Sequence, residues 1–69
     1  MTAKGNLMHH FRTLSSGTIA EMIGSVYYTA IDHAVSRAIL YVAKMPEEEC
    51  KKYQTFDQIC NLFKLANGM

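Results

Sequence analysis

Residues 18–44, TIAEMIGSVYYTAIDHAVSRAILYVAK, form the longest strongly patterned stretch of the chain, and their reading decides the fold class. Thr18-Ile19-Ala20-Glu21 fits a capping box, in which the threonine hydroxyl accepts a free backbone N–H and the glutamate reaches back to the cap. Pro46 supplies a stop at the other end, because it lacks an N–H and disfavours helical geometry in the residue before it. Between these limits Ile19, Ile23, Tyr27, Ile31, Val35, Ala38 and Val42 recur at spacings of three and four, flanked by Met22, Val26, Ala30, Ala34 and Ile39. The pattern predicts one long helix over residues 18–44. Ser25, Thr29, Asp32, His33, Ser36 and Arg37 share the remaining strip and make its wet side. Gly24 is the weak point, costing roughly 1 kcal/mol against alanine if exposed, yet small enough to admit a neighbouring helix.

The first fourteen residues add a short helix. Met1 to Asn6 is polar and aperiodic and reads as a flexible terminus, whereas Leu7, Phe11 and Leu14 align one side of two helical turns over Leu7 to Leu14 with Asn6 as cap. Ser15-Ser16-Gly17 reads as a turn. Beyond Pro46, three glutamates sit at the positive end of a new helix, and Glu47–Lys51 and Glu48–Lys52 have the spacing of favourable pairs. Tyr53, Phe56, Ile59 or Cys60, and Phe63 continue an apolar face to Asn67-Gly68, which favours a single helix over 46–67. Thr55-Phe56-Asp57-Gln58 is itself a capping box and offers a break into two. The resulting expectation is an all-α fold of one domain over residues 1–69: a short N-terminal helix, then a hairpin of long helices bent at Lys44 to Pro46, dimerising into a bundle.

Length and composition point to the dimer. A chain of 69 residues buries only about 60% of its unfolded surface, and 49% of these residues are hydrophobic, so a homodimer is expected. Cys50 and Cys60 would lie about 15 Å apart on one straight helix, too far for a disulfide. Free thiols and the lack of an apolar leader in Met1 to Leu14 suit a reducing cytoplasm. Asp32, His33 and Arg37 interrupt the best candidate for a membrane span, which needs roughly 20 apolar residues. With a formal net charge of +1, no global field selects nucleic acid as the partner.

No pattern specifies catalysis or a cofactor. His9 and His10 point about 100° apart on a helix, and no HxxxH or CxxC spacing joins them or His33 to a metal set. Asp32, His33 and Ser36 could suggest a hydrolytic triad, but His33 is displaced sideways from the Asp32–Ser36 line. Tyr28, Asp32, His33, Arg37 and Tyr41 instead form a candidate partner-binding face, since tyrosine and arginine are over-represented in interface hot spots. Lys4, His9, His10 and Arg12 form the alternative, a basic arm for nucleic acid without a helix-turn-helix or ribbon signature.

The segment Val26-Tyr27-Tyr28-Thr29-Ala30-Ile31-Asp32-His33 resembles the region around the alanine-alanine-aspartate-histidine signature of the Hha/YmoA family, small helical bacterial proteins that modulate nucleoid-associated silencers. Lys44-Met45-Pro46 is similar to that family's lysine-isoleucine-proline turn. The resemblance implies that Asp32 lies on a surface that binds another protein. The function expected is therefore that of a small non-enzymatic helical dimer that binds and modulates or inhibits another protein, such as a transcription regulator, in the manner of phage or plasmid accessory regulators. Nucleic-acid binding and a structural subunit of a larger assembly are the alternatives.

Overall fold

The break comes at Gly24. In the computed structural model, which describes residues 2–69, the stretch expected as one helix is two: α2, Ser16–Ile23, and α3, Tyr28–Ala43. Gly24 takes the left-handed conformation (φ 71°), and the amides of Gly24 and Ser25 both donate to the Ala20 carbonyl, at 2.8 and 3.2 Å. Glycine reaches that geometry without the steric cost a Cβ brings, and it closes α2 in the usual manner of a glycine C-cap. The chain is then extended through Tyr27, whose carbonyl accepts the first helical bond of α3 from Ile31 at 3.0 Å. A straight helix over residues 18–44 would be about 40 Å long, whereas the longest extent of the protein is 33 Å. Folding α2 back brings Ile19 into the same buried cluster as Ile31. The gain in burial decides against the continuous helix that the local pattern favours.

The start of α2 also differs from expectation. Ser15, not Thr18, is the cap: its hydroxyl accepts from the Thr18 amide at 3.1 Å, so Ser16 and Gly17 are helical and the Thr18–Glu21 box is not used.

Helix α1, Ala3–Thr13, begins four residues earlier than the Leu7 to Leu14 expected. Met1 lies outside the described residues; the rest of the presumed flexible terminus is tied down. Thr2 accepts from the Gly5 amide at 3.0 Å, and the Glu47 carboxylate accepts from the Ala3 and Lys4 amides at 2.6 and 3.1 Å. In return the Lys4 ammonium donates to the Ala43 carbonyl at the end of α3, 3.1 Å away. An anion at one helix N-terminus and a cation at another's C-terminus each complement the helix dipole. These amide bonds hold the Glu47 carboxyl below its ordinary range. A depressed carboxyl contributes stability above its unfolded value and loses it as the pH falls through the folded one. Glu47→Gln is therefore expected to lower the thermal midpoint at pH 7, to flatten its decline on acidification, and to speed amide exchange at Ala3 and Lys4. An unchanged acid profile would show that the carboxylate does not hold α1.

Pro46 ends α3 as expected, but the segment after it is divided. Helix α4, Glu47–Cys50, is a single turn, and α5, Phe56–Ala66, follows a loop. The Thr55 box is formed in full: its hydroxyl accepts from the Gln58 backbone N–H, and the Gln58 side-chain Oε1 accepts from the backbone N–H groups of Gln54 and Thr55. Breaking there lets Cys50 and Ile59 both face the core, and it turns Phe56 outward, 60% exposed. With α4 so short, the ion pairs form at spacing three, Lys51–Glu48 and Lys52–Glu49, instead of the spacing four expected. Both cysteines are free thiols.

The five helices bury one cluster. Leu7 and Phe11 come from α1, Ile19 from α2, Ile31, Ala34, Ala38 and Val42 from α3, Met45 and Cys50 from the following turn, and Ile59, Leu62 and Phe63 from α5. Helix α3 runs through the middle, packed by α1, α2 and α5. Phe11 and Phe63 meet edge to face, centroids 5.5 Å apart at 76°. The Asn67 amide group donates to the carbonyls of Ala34 and Phe63, pinning the end of α5 to α3. No described helix is long and apolar enough to cross a membrane.

Candidate functional site: the outward face of α3

The core stripe of α3 is Ile31, Ala34, Ala38 and Val42, so its opposite side faces solvent. All five residues of the expected partner-binding face, Tyr28, Asp32, His33, Arg37 and Tyr41, are exposed. They are not one patch. At 3.6 residues per turn Asp32 and Arg37 project about 140° apart, which leaves Tyr28 and Asp32 on one margin and His33, Arg37 and Tyr41 on the other.

The second margin carries the relief. Where Pro46 turns the chain and α5 ends beside α3, a groove of about 480 Å³ opens between Arg37, Leu40, Tyr41, Lys44, Met45, Pro46 and Ala66. Its apolar part is Leu40, 62% exposed, and Tyr41, 40% exposed, above the buried Met45. On its other side, with His33, Arg37 borders a second hollow of about 500 Å³ that also includes Ile23, Thr29 and Asn67. Tyr28 and Asp32 border neither hollow. The sequence reading missed Leu40, Lys44, Met45, Pro46 and Ala66. One signal was there to find: Leu40 lies four residues from Ser36 and seven from His33, an apolar side chain inside the polar strip.

The electrostatics are simple. The ion pairs among the described residues are the two exposed ones around α4, worth about 1 kcal/mol or less each. Arg37 and Lys44 therefore have no carboxylate within ion-pair distance among the described residues, and no acidic residue borders the groove. The described residues hold no group of three or more histidine, cysteine or carboxylate side chains placed for a metal. Burial pushes the Cys50 thiol up, with Glu47 adding to it, and burial likewise raises Cys60, with Asp57 adding. A raised thiol pKa reduces the thiolate, which is the reactive form.

The basic segment proposed as an alternative is dispersed. His9, His10 and Arg12 are exposed on α1, the two imidazoles meeting at an angle of 64° with centroids 6.5 Å apart. The Lys4 ammonium is engaged with the Ala43 carbonyl. At about 100° per residue these four side chains spread around more than half of α1 and do not make a single basic stripe.

No family model, curated protein or solved structure matches the chain. Its function is therefore argued from the α3 face itself.

Proposed function

We propose that this domain acts by binding another protein through the outward face of α3, without chemistry of its own, and so modulates or inhibits a partner such as a transcription regulator. The observation that carries the reading is Leu40 and Tyr41, exposed above a groove and bracketed by two cations that have no carboxylate within ion-pair distance among the described residues. Covering a leucine fully stabilises a contact by about 1.5–3 kcal/mol, and a tyrosine and an arginine beside it complete the composition of an interface anchor. The resemblance around Asp32 supports a protein-binding role for the same helix and adds a contact on its other margin.

The test is capture from bacterial lysate with the wild-type chain and Leu40→Asp compared at several salt concentrations. The expected outcome is one stoichiometric partner, retained by the wild type, lost by Leu40→Asp and weakened by Arg37→Ala, with thermal midpoints of all three proteins close together. Equal capture by all three proteins would place the binding surface elsewhere.

We further propose that the acting species is a homodimer. Val26, Tyr27 and Tyr28, consecutive and each at least 74% exposed, form an apolar corner between α2 and α3 of the kind that marks association surfaces. Light scattering is expected to give twice the chain mass for the wild type and the single mass for Tyr27→Asp; a monomeric wild type at high concentration would remove the dimer.

A further inference from the structure

The α3 groove has a charge pattern that selects its occupant. Arg37 and Lys44 are seven residues apart, two helical turns or about 10.5 Å along one edge of α3. Leu40 and Tyr41 lie between them, and the groove is closed by Met45, Pro46 and Ala66. The nearby acidic residues are otherwise engaged: Glu47 accepts the Ala3 and Lys4 amides, and Glu48 and Glu49 pair with Lys51 and Lys52. Among the described residues the rim is thus positive with no carboxylate paired to it, while its middle is apolar.

Resting on the reading above, we propose that the groove receives an acidic amphipathic helix of the partner, with carboxylates seven residues apart facing Arg37 and Lys44 and apolar side chains between them covering Leu40 and Tyr41. The seven-residue repeat keeps such side chains on one edge of a helix, so the two rows of charge stay in register over both turns. Burial of the leucine and tyrosine supplies affinity, and the flanking charges supply register and the choice of partner. A second copy of this chain does not meet the requirement, because its only acidic run, Glu47 to Glu49, is committed to α1 and to its own lysines. Nucleic acid fits poorly too: two cations separated by exposed apolar side chains do not form the row of phosphate contacts on which its binding depends.

The experiment is a fluorescence anisotropy titration of the full chain with a stapled helical peptide carrying two glutamates seven residues apart and two leucines between them. Saturable binding is expected, about tenfold weaker for the peptide with lysines in place of the glutamates and about tenfold weaker for Arg37→Glu or Lys44→Glu. The lysine peptide should regain affinity for the Arg37→Glu/Lys44→Glu double variant, a rescue that a folding defect cannot produce. Equal binding of glutamate and lysine peptides, no binding of either, or preference for a DNA duplex competitor would overturn the acidic-helix assignment. If lysate capture still depends on Leu40 in that event, the protein-binding reading stands and only the chemistry of the occupant is refuted; if that dependence is also absent, both fall.

Discussion

Phe63→Ala is expected to lower the stability of the fold by about 3–5 kcal/mol. The ring is fully buried and stands edge to face against Phe11. Truncating a core phenylalanine costs about 3–5 kcal/mol, through lost transfer energy and the cavity left behind. A domain of this length holds roughly 3–10 kcal/mol in total at the usual stability per residue. The single change therefore removes from about 30% to all of the stability, and the contact that locks α5 to α1 goes with it. Urea unfolding followed by circular dichroism should show a midpoint shifted far toward low urea relative to the wild type. Phe56→Ala, three residues before Ile59, the first buried residue of α5, but 60% exposed, should change stability by no more than about 0.5 kcal/mol. The contrast is diagnostic of α5: in a single helix over 46–67 with Phe56 on the buried stripe, both substitutions would be costly. Near-equal effects would contradict the observed break at Thr55.

Val42→Asp is expected to unfold the protein at neutral pH. Val42 is fully enclosed in the core and sits in the last turn of α3, at the negative end of the helix dipole. A carboxylate placed there loses its hydration inside an apolar cluster, at a cost of about 3 kcal/mol or more. The group escapes by staying protonated, so its folded pKa rises above the unfolded one. The folded state then binds the extra proton, and stability lost at pH 7 returns as the pH falls below the raised value. Helical circular dichroism should accordingly be weak at pH 7 and partly recovered near pH 5. Ile31→Asp should be milder, because Ile31 is near the N-terminal turn of the same helix, where the dipole favours an anion, and keeps a small solvent-facing edge. A Val42→Asp protein with a wild-type melting curve at pH 7 would show that the inward stripe of α3 has been misplaced.

The parts of this structure that were legible in the sequence are those set by neighbours within a few residues. Pro46 ends α3, Asn67-Gly68 stops α5, and Tyr28, Asp32, His33, Ser36 and Arg37 all face outward from α3; the Thr55–Gln58 box that starts α5 was visible as a break, yet the continuing apolar spacing favoured a single helix over 46–67. The break at Gly24 was not legible, because Ile23, Tyr27 and Ile31 keep a spacing of four across it. Whether the chain runs straight or turns depends on Ile19 finding a place in the core, a tertiary gain with no local mark. The Glu47 bonds to Ala3 and Lys4 likewise join positions over forty residues apart. The five candidate residues are all exposed, yet they divide between two margins of α3. The groove beside one margin required Pro46 and Ala66 to be brought together by the fold.

The most direct test of the binding face is photo-crosslinking in living bacterial cells, with a photoreactive phenylalanine analogue at position 40 and, for comparison, at position 9 on α1 and position 57 on α5. The account predicts one discrete heavier adduct from position 40, lost when Arg37→Glu is added, and none of comparable yield from positions 9 or 57. An adduct from position 9 with none from position 40 would contradict it and return attention to the basic side chains of α1.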